Sequence, residues 1–430
     1  MRIFIGVRNI AGYGSRLAQG FEQLGVQATF VDLSSNVYGY GSGDAPNLLV
    51  RLTQFCAARQ HVAKGKNRAQ RAFWLAGEAL LRVPLLLWAL WNFDTFIFFF
   101  RTSFLQLYDL PLLKLFKKKV IFVLLGSDAR PAYINGALAT DTQPATLRRV
   151  MRLTRAIKRE IALMERYADV MVSHPLYAQF QTRPFVGIVF IALPFMLPQT
   201  APSPAVHEHD RRDRVRILHA PSRPEAKGTP LIRQAVANLQ AKGYPIDLIE
   251  LTGVSNETVL QELARCDFVF DQGYSDVFMP TFATEAAFFG KAVLIAGYEL
   301  AELCRRLPPD VVPPVVMVHP DAIQAAVERL VADQEYREAQ GRQCQAFVER
   351  YCTPAVVAER YLRLIQGDIP SQWLCDPTDT PFLYGFGMPA ARLSQFLRAY
   401  VEHGGRGVLG LTEKPELESA FLALAMADQD

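Results

Sequence analysis

Apolar and polar positions along the first half of the chain follow two rhythms. Short apolar runs at 2–7, 26–33, 95–100, 119–125 and 168–173 have the length and the Val, Ile and Phe content of strands. Between them lie stretches with helical spacing: 14–24, closed by Gly25, a region at about 47–92, and 144–167. The last of these carries Val150, Leu153, Ile157, Ile161 and Met164 near one face. Short buried strands alternating with helices predict a parallel sheet covered on both faces.

At 194–214 the composition changes to Pro194, Pro198, Pro202 and Pro204 followed by a polar run, HEHDRRDR. The pattern then restarts. Strands are expected at 215–219, 246–251, 268–271 and 292–295, and helices at 230–242, 256–264, 281–289, 320–333 and 336–351. The chain therefore divides into a first α/β domain (1–195), a linker (196–214) and a second α/β domain (215–365). The extension at 366–430, with helices expected at 390–403 and 415–426, has no assigned role. Two such halves place a cleft between them, and open α/β sheets bind ligands at the carboxyl ends of their strands.

Composition narrows the picture. The 430 residues are 50% hydrophobic and 20% charged, with a net charge of +4, too mild a balance for a nucleic-acid partner. Six scattered cysteines, with no CxxC pair, predict neither a disulfide framework nor a metal site, and a cytoplasmic protein. The first residues lack the pattern of a signal peptide. The stretch 73–100 contains VPLLLWALWNF, but charges at Glu78, Arg82 and Asp94 leave only 11 uncharged residues between Arg82 and Asp94, short of the ~20 that a spanning helix needs. Two readings stay open for it. One is a core helix leading into a buried strand. The other is a peripheral contact with the inner face of the cell membrane, through Trp74, Trp88, Trp91 and nearby basic residues.

Three motifs carry candidate chemistry. Gly12 and Gly14 follow the first strand, with Asp32 ending the second, but a dinucleotide fingerprint needs a third glycine where Leu17 stands. A ligand-facing glycine turn and a plain strand–helix turn both fit. In His219-Ala-Pro-Ser222-Arg223-Pro-Glu-Ala-Lys227-Gly228, the guanidinium can fork two phosphate oxygens, the ammonium adds a compact charge, and Gly228 lets backbone approach. In the third, a loop from Asp271 through Asp276 leads to a helix with Thr281, Thr284 and Glu285 near its start. There Glu285 could bind ribose hydroxyls while the helix end faces phosphate, or could merely complement the helix dipole.

In order and spacing, these runs, with TGVSNETVLQELARCDFVFDQ between them, resemble the donor domain of the family 4-like retaining glycosyltransferases of GT-B fold. The resemblance spans about 1–365 and is strongest at 216–295. It implies two Rossmann-like domains facing across a cleft. It also implies sugar transfer, with retention and without a metal or other cofactor, from a nucleotide-diphosphate sugar to a glycan or lipid-linked acceptor. By resemblance, Ser222, Arg223, Lys227 and Gly228 hold the diphosphate, Gly253 and Val254 lie beside the base, Glu285 takes the ribose, and Gly12 and Gly14 form the acceptor-side loop. The family's first glutamate falls at Val277, so Asp276 or Asp271 is the stand-in for the sugar contact. Asp128 (in Gly126-Ser-Asp128) and His174, at predicted strand ends, are candidate contacts to the reacting sugars. The competing readings are a nucleotide-sugar epimerase-like enzyme on the same fold and a nucleotide-binding scaffold with a degenerate site.

Overall fold

The computed structural model describes residues 1–33, 47–196 and 214–427. Apart from its end residues, the expected linker lies outside them. The first part of the chain forms β1 (Ile3–Val7), α1 (Tyr13–Gln23), β2 (Ala28–Asp32), α2 (Leu48–Val62), α3 (Arg68–Asn92), β3 (Thr95–Phe99), α4 (Leu110–Leu115), β4 (Lys119–Val123), α5 (Pro144–Tyr167), β5 (Val170–Ser173), β6 (Phe185–Gly187) and α6 (Ile188–Ile191). The second part forms β7 (Val215–His219), α7 (Pro224–Lys227), α8 (Thr229–Ala241), β8 (Ile246–Glu250), α9 (Asn256–Arg265), β9 (Phe268–Gln272), α10 (Thr281–Phe288), β10 (Ala292–Ala296), α11 (Leu300–Arg306), β11 (Val316–Val318), α12 (Ile323–Ala332) and α13 (Gln334–Tyr351). The chain ends with α14 (Pro354–Gln366), β12 (Leu374–Cys375), α15 (Ala390–Gly404) and α16 (Pro415–Met426).

The two sheets are wound alike. The first runs β2-β1-β3-β4-β5-β6, all parallel, with β12 added antiparallel to β6; the second runs β8-β7-β9-β10-β11, all parallel. In each, the strand order reverses between the first strand and the third, β1/β3 and β7/β9. That reversal opens a crevice at the carboxyl ends.

Strand residues alternate between two cores because successive side chains point to opposite faces. In β3, Phe96 and Phe98 join Phe4 and Phe104 in a packed aromatic cluster, while Ile97 and Phe99 face Tyr13 and Leu17 of α1. Both faces of both sheets are covered, as the apolar runs predicted.

The expected end of the second domain at 365 needs revision, because α14 crosses back to pack on α1. Gly20 is needed for that approach: a Cβ there would lie 2.0 Å from the Pro354 carbonyl oxygen. The hydroxyls of Tyr13 and Tyr361 meet at 2.9 Å. The extension then gains a role. Helices α15 and α16 cover α5 and complete the first domain's core, with Tyr400 donating to Thr154 (3.2 Å) and Tyr133 donating to the Leu409 carbonyl (3.2 Å). Between β12 and α15 the chain forms a strap touching both domains. Glu299 accepts from the backbone N–H groups of Leu383 and Tyr384, Gly387 donates to the Tyr274 carbonyl, and the Phe386 carbonyl accepts from Gly136 of the first domain.

Candidate functional site

At the second sheet's crevice, β7 ends in His219, which is buried. Its Nδ1 lies 2.8 Å from the Phe270 carbonyl oxygen, an acceptor only, so Nδ1 carries the proton and Nε2 accepts from the Thr229 hydroxyl at 2.8 Å. Burial pushes its pKa down, keeping the ring neutral. The ring thereby pins the loop between β7 and α8. In that loop Ser222 and Arg223 are exposed, with Arg223 at the start of the one-turn α7, and Lys227 ends it. Gly228 has φ +75°, and a Cβ there would come within 2.9 Å of Gly273 Cα, so the loops after β7 and β9 lie flat on each other. Gly273 N–H also donates to the Lys227 carbonyl.

Lys227 Nζ stands 3.2 Å from Oδ1 of Asp271, which is almost fully buried at the end of β9. Asp271 Oδ2 and the neighbouring Gln272 Oε1 are buried acceptors without a protein partner. Buried acceptors are ordinarily satisfied, so these two suit a hydroxyl-bearing ligand. Across from them, Glu285 in α10 is buried and accepts from Asn256 Nδ2 at 3.1 Å. Desolvation raises its carboxyl pKa to about 7, opposed by the Asn256 hydrogen bond and by the charge of Arg16 on α1 of the first domain. Arg16 also stacks on Phe195, 4.2 Å from the ring centre. Gly253 (φ +72°) and Val254 lie exposed beside the start of α9.

Between the domains is a cavity of about 240 Å³, lined by Leu125, His174 and Tyr177 from one side and Val277, Met279 and Thr281 from the other. Its walls are mostly apolar. His174 is buried, accepts from Leu176 N–H through Nδ1 and has no partner at Nε2. Desolvation, helped by the charge of Arg130, lowers its pKa to about 3, so it serves as a neutral hydrogen-bonding group.

Four expected site residues are committed elsewhere. Asp276 is buried in an ion pair with Arg130 across the domain boundary, and the guanidinium also lies near the rings of Tyr177 and Phe386. It clamps the domains, and its charge is spent on Arg130 rather than left for a sugar contact. Asp128 is buried, and its carboxylate accepts the Leu125 N–H (2.9 Å), which shapes the loop after β4; burial raises its pKa to about 6. Gly14 serves packing, since a Cβ would meet the Phe30 ring at 2.6 Å. Thr284 returns its hydroxyl to the Pro280 carbonyl (3.1 Å), an internal helix bond.

Brought together at the crevice are Lys227, Asp271, Glu285 and the α10 start near Thr281, with Gly12 (φ +76°) opening α1 opposite. Sequence reasoning missed Arg16, Asn256, Gln272 and the Arg130–Asp276 pair. Asn256 and Gln272 stood inside motifs already singled out, and Arg130 follows Gly126-Ser-Asp128 by two residues; the pairing itself joins residues 146 positions apart.

No protein-family model matches the chain, and no curated protein matches it. Among solved structures, the UDP-glucose complex of Alr3699/HepE from Anabaena is similar with a TM-score of 0.49 at 11% identity, over 85% of this chain and 100% of that one. The UDP co-structure of MnaA from S. aureus gives 0.43 at 10% identity, over 85% and 96%. The glycosyltransferase SnogD from Streptomyces nogalater gives 0.39 at 11%, over 84% and 99%. The architecture, two Rossmann-like domains facing across a cleft, is the class that this chain's own strand order defines. Beyond that class, the chemistry rests on this chain's own side chains.

Proposed function

We propose that the chain is a glycosyltransferase whose second domain binds a nucleotide-diphosphate sugar. The observation that carries the reading is the convergence at the β7/β9 crevice of Lys227, a glycine loop bearing Arg223, the α10 N-terminus and the buried pair Asn256–Glu285. Phosphates are drawn to the cations and to the helix start. Glu285 and the unpartnered acceptors of Asp271 and Gln272 suit ribose and sugar hydroxyls. Gly253 and Val254 leave an open surface for the base.

In the transfer, the bond from the anomeric carbon to the diphosphate oxygen breaks and the electron pair leaves with the diphosphate. Lys227, Arg223 and the α10 dipole stabilise that growing charge, so charge neutralisation as proposed needs no divalent ion. The acceptor hydroxyl oxygen bonds to the anomeric carbon. His174 Nδ1 accepts from Leu176, so Nε2 carries the proton of the neutral ring; it can donate to the acceptor's hydroxyl oxygen but cannot take the hydroxyl proton, which passes to the departing diphosphate. Retention and a glycan or lipid-linked acceptor follow from the resemblance at 216–295. A second reading, nucleotide binding without transfer, draws on one observation: Val277 lines the cavity where the resemblance expects a glutamate.

A thermal-shift screen with UDP, UDP-glucose and the GDP, ADP and CMP compounds tests the site. Binding is expected with one base, and Lys227→Ala should weaken it by about 10- to 100-fold, the scale of a charge-assisted contact. No shift with any nucleotide would sink both readings. Binding without any glycosylated product in mass spectrometry would favour the second.

A further inference from the structure

Helix α3 turns the usual arrangement inside out. Its last two turns enter the first domain's core through Leu85, Leu86, Ala89 and Leu90. Between Ala72 and Pro84 the two charged residues point inward: Arg82 pairs with Glu78 and donates to the Phe104 carbonyl, both side chains being largely buried. Outward, at helical spacing, stand Phe73, Ala76, Leu80, Val83, Leu87 and Trp91, with exposures of 67% for Phe73, 74% for Leu80 and 86% for Trp91. From Ala72 to Trp91 no exposed residue of the helix is charged. At 1.5 Å per residue the stripe is about 27 Å long. Helix α2 widens it with exposed Leu48, Leu52 and Phe55, the last in edge contact with Trp74. The helix is long and apolar enough to cross a membrane by length and composition. The Glu78–Arg82 pair and the docked last turns instead hold it along the protein surface.

Cations flank both ends of the stripe. The α2–α3 turn carries Lys64 and Lys66 and the first turn of α3 carries Arg68 and Arg71, all exposed, and no acidic residue occurs from Arg51 to Gly77. At the other end, Lys118 donates to the Phe93 carbonyl just beyond α3, beside Lys117 and the exposed Leu115 and Phe116. A pairing of two such stripes in one direction sets cation cluster on like cluster. In the opposite direction it sets one cation cluster against the other. An anionic lipid surface neutralises both.

From this inverted helix and its flanking cations, we infer that the α2–α3 face lies in the interface of an anionic bilayer, with its apolar stripe among the acyl chains and its cations at the phosphates. The face is independent of the nucleotide crevice, so it stands or falls separately from the proposed activity.

Co-sedimentation with phosphatidylcholine vesicles, with and without phosphatidylglycerol, tests it. The protein is expected to bind the anionic vesicles and to lose affinity as salt rises. The triple variant Leu80→Ser, Leu87→Ser, Trp91→Ser should bind at least about tenfold more weakly, because three buried apolar contacts with lipid are removed. Unchanged melting would show that its fold is intact. Lys64→Gln with Lys66→Gln should reduce the preference for anionic over neutral vesicles about tenfold or more, at about 1 kcal/mol per cation removed. Equal binding by the triple variant, no binding by the unaltered protein, or a dimer in light scattering that the triple variant converts to monomer would each overturn the assignment. The last result would give the face to a second copy of the chain.

Discussion

The two sheets are wound in the same order yet use their carboxyl ends differently. At β7/β9 the crevice gathers Lys227, Asp271, Gln272 and Glu285, several of them buried with incomplete partners. At the first domain's strand ends, Asp128 satisfies a backbone N–H and Arg130 is spent on Asp276, while Leu125, His174 and Tyr177 leave a mostly apolar wall. Shared winding decides where a ligand can sit; the side chains on the loops decide which half holds the charged part. At its crevice the second half has acceptors of Asp271 and Gln272 waiting for a partner; in the first, the charges of Asp128 and Arg130 are already matched and the neutral His174 Nε2 is left open.

The largest expected effect comes from breaking the match. Asp276→Ala would leave the Arg130 guanidinium buried and unpaired, at a cost of about 3–5 kcal/mol in denaturant unfolding. A loss within ~0.5 kcal/mol would mean that the pair does not hold the domains together. A middle-sized effect tests the waiting half. The Glu285 carboxyl has an ordinary pKa of 4.5, raised to about 7 in the fold. Its contribution to stability is full below pH 4.5, where both states hold the proton. It falls between 4.5 and 7 as only the unfolded chain releases it, and the loss is complete above 7. Glu285→Gln should therefore stabilise the protein at pH 8 by about 3 kcal/mol, with little gain at pH 4, while weakening nucleotide binding. A gain that does not vary with pH would place the carboxyl's burial in error. The smallest effect belongs to Arg223→Ala. An exposed cation is worth up to about 1 kcal/mol, so nucleotide affinity should fall by no more than about fivefold in a titration. A loss as large as that of Lys227→Ala would show that the loop closes on its ligand.

Much of this was legible along the chain. Apolar runs such as 119–125 marked β4 because parallel strands are buried on both faces, and Lys227 and Glu285 stood out from their place beside strand ends and helix starts. What was not legible depends on approach across distance. Gly14 reads as a ligand glycine until the Phe30 ring is seen against it, and Gly20 passes unnoticed inside a helix until Pro354 lies on it. Asp276 sits at the right place in its loop for a sugar contact, and only Arg130 removes it. For α3, the Trp and Leu content was plain, but composition cannot say which face turns outward; that depended on where Glu78 and Arg82 found partners.

The return of α14, α15 and α16 to the first domain also orders the assembly of the chain during synthesis. The second domain's elements, β7 to α13, are contiguous and can collapse as soon as they emerge. The first domain begins earlier but finishes later. Its α1 face waits for Val357 and Tyr361, and its α5 face waits for Tyr400 and Phe421 near the chain's end. A chain ending before residue 354 would therefore hold a nearly complete second half, lacking Phe382, tethered to a first half whose two apolar faces are still open. The half that starts first needs the guard of a chaperone longest.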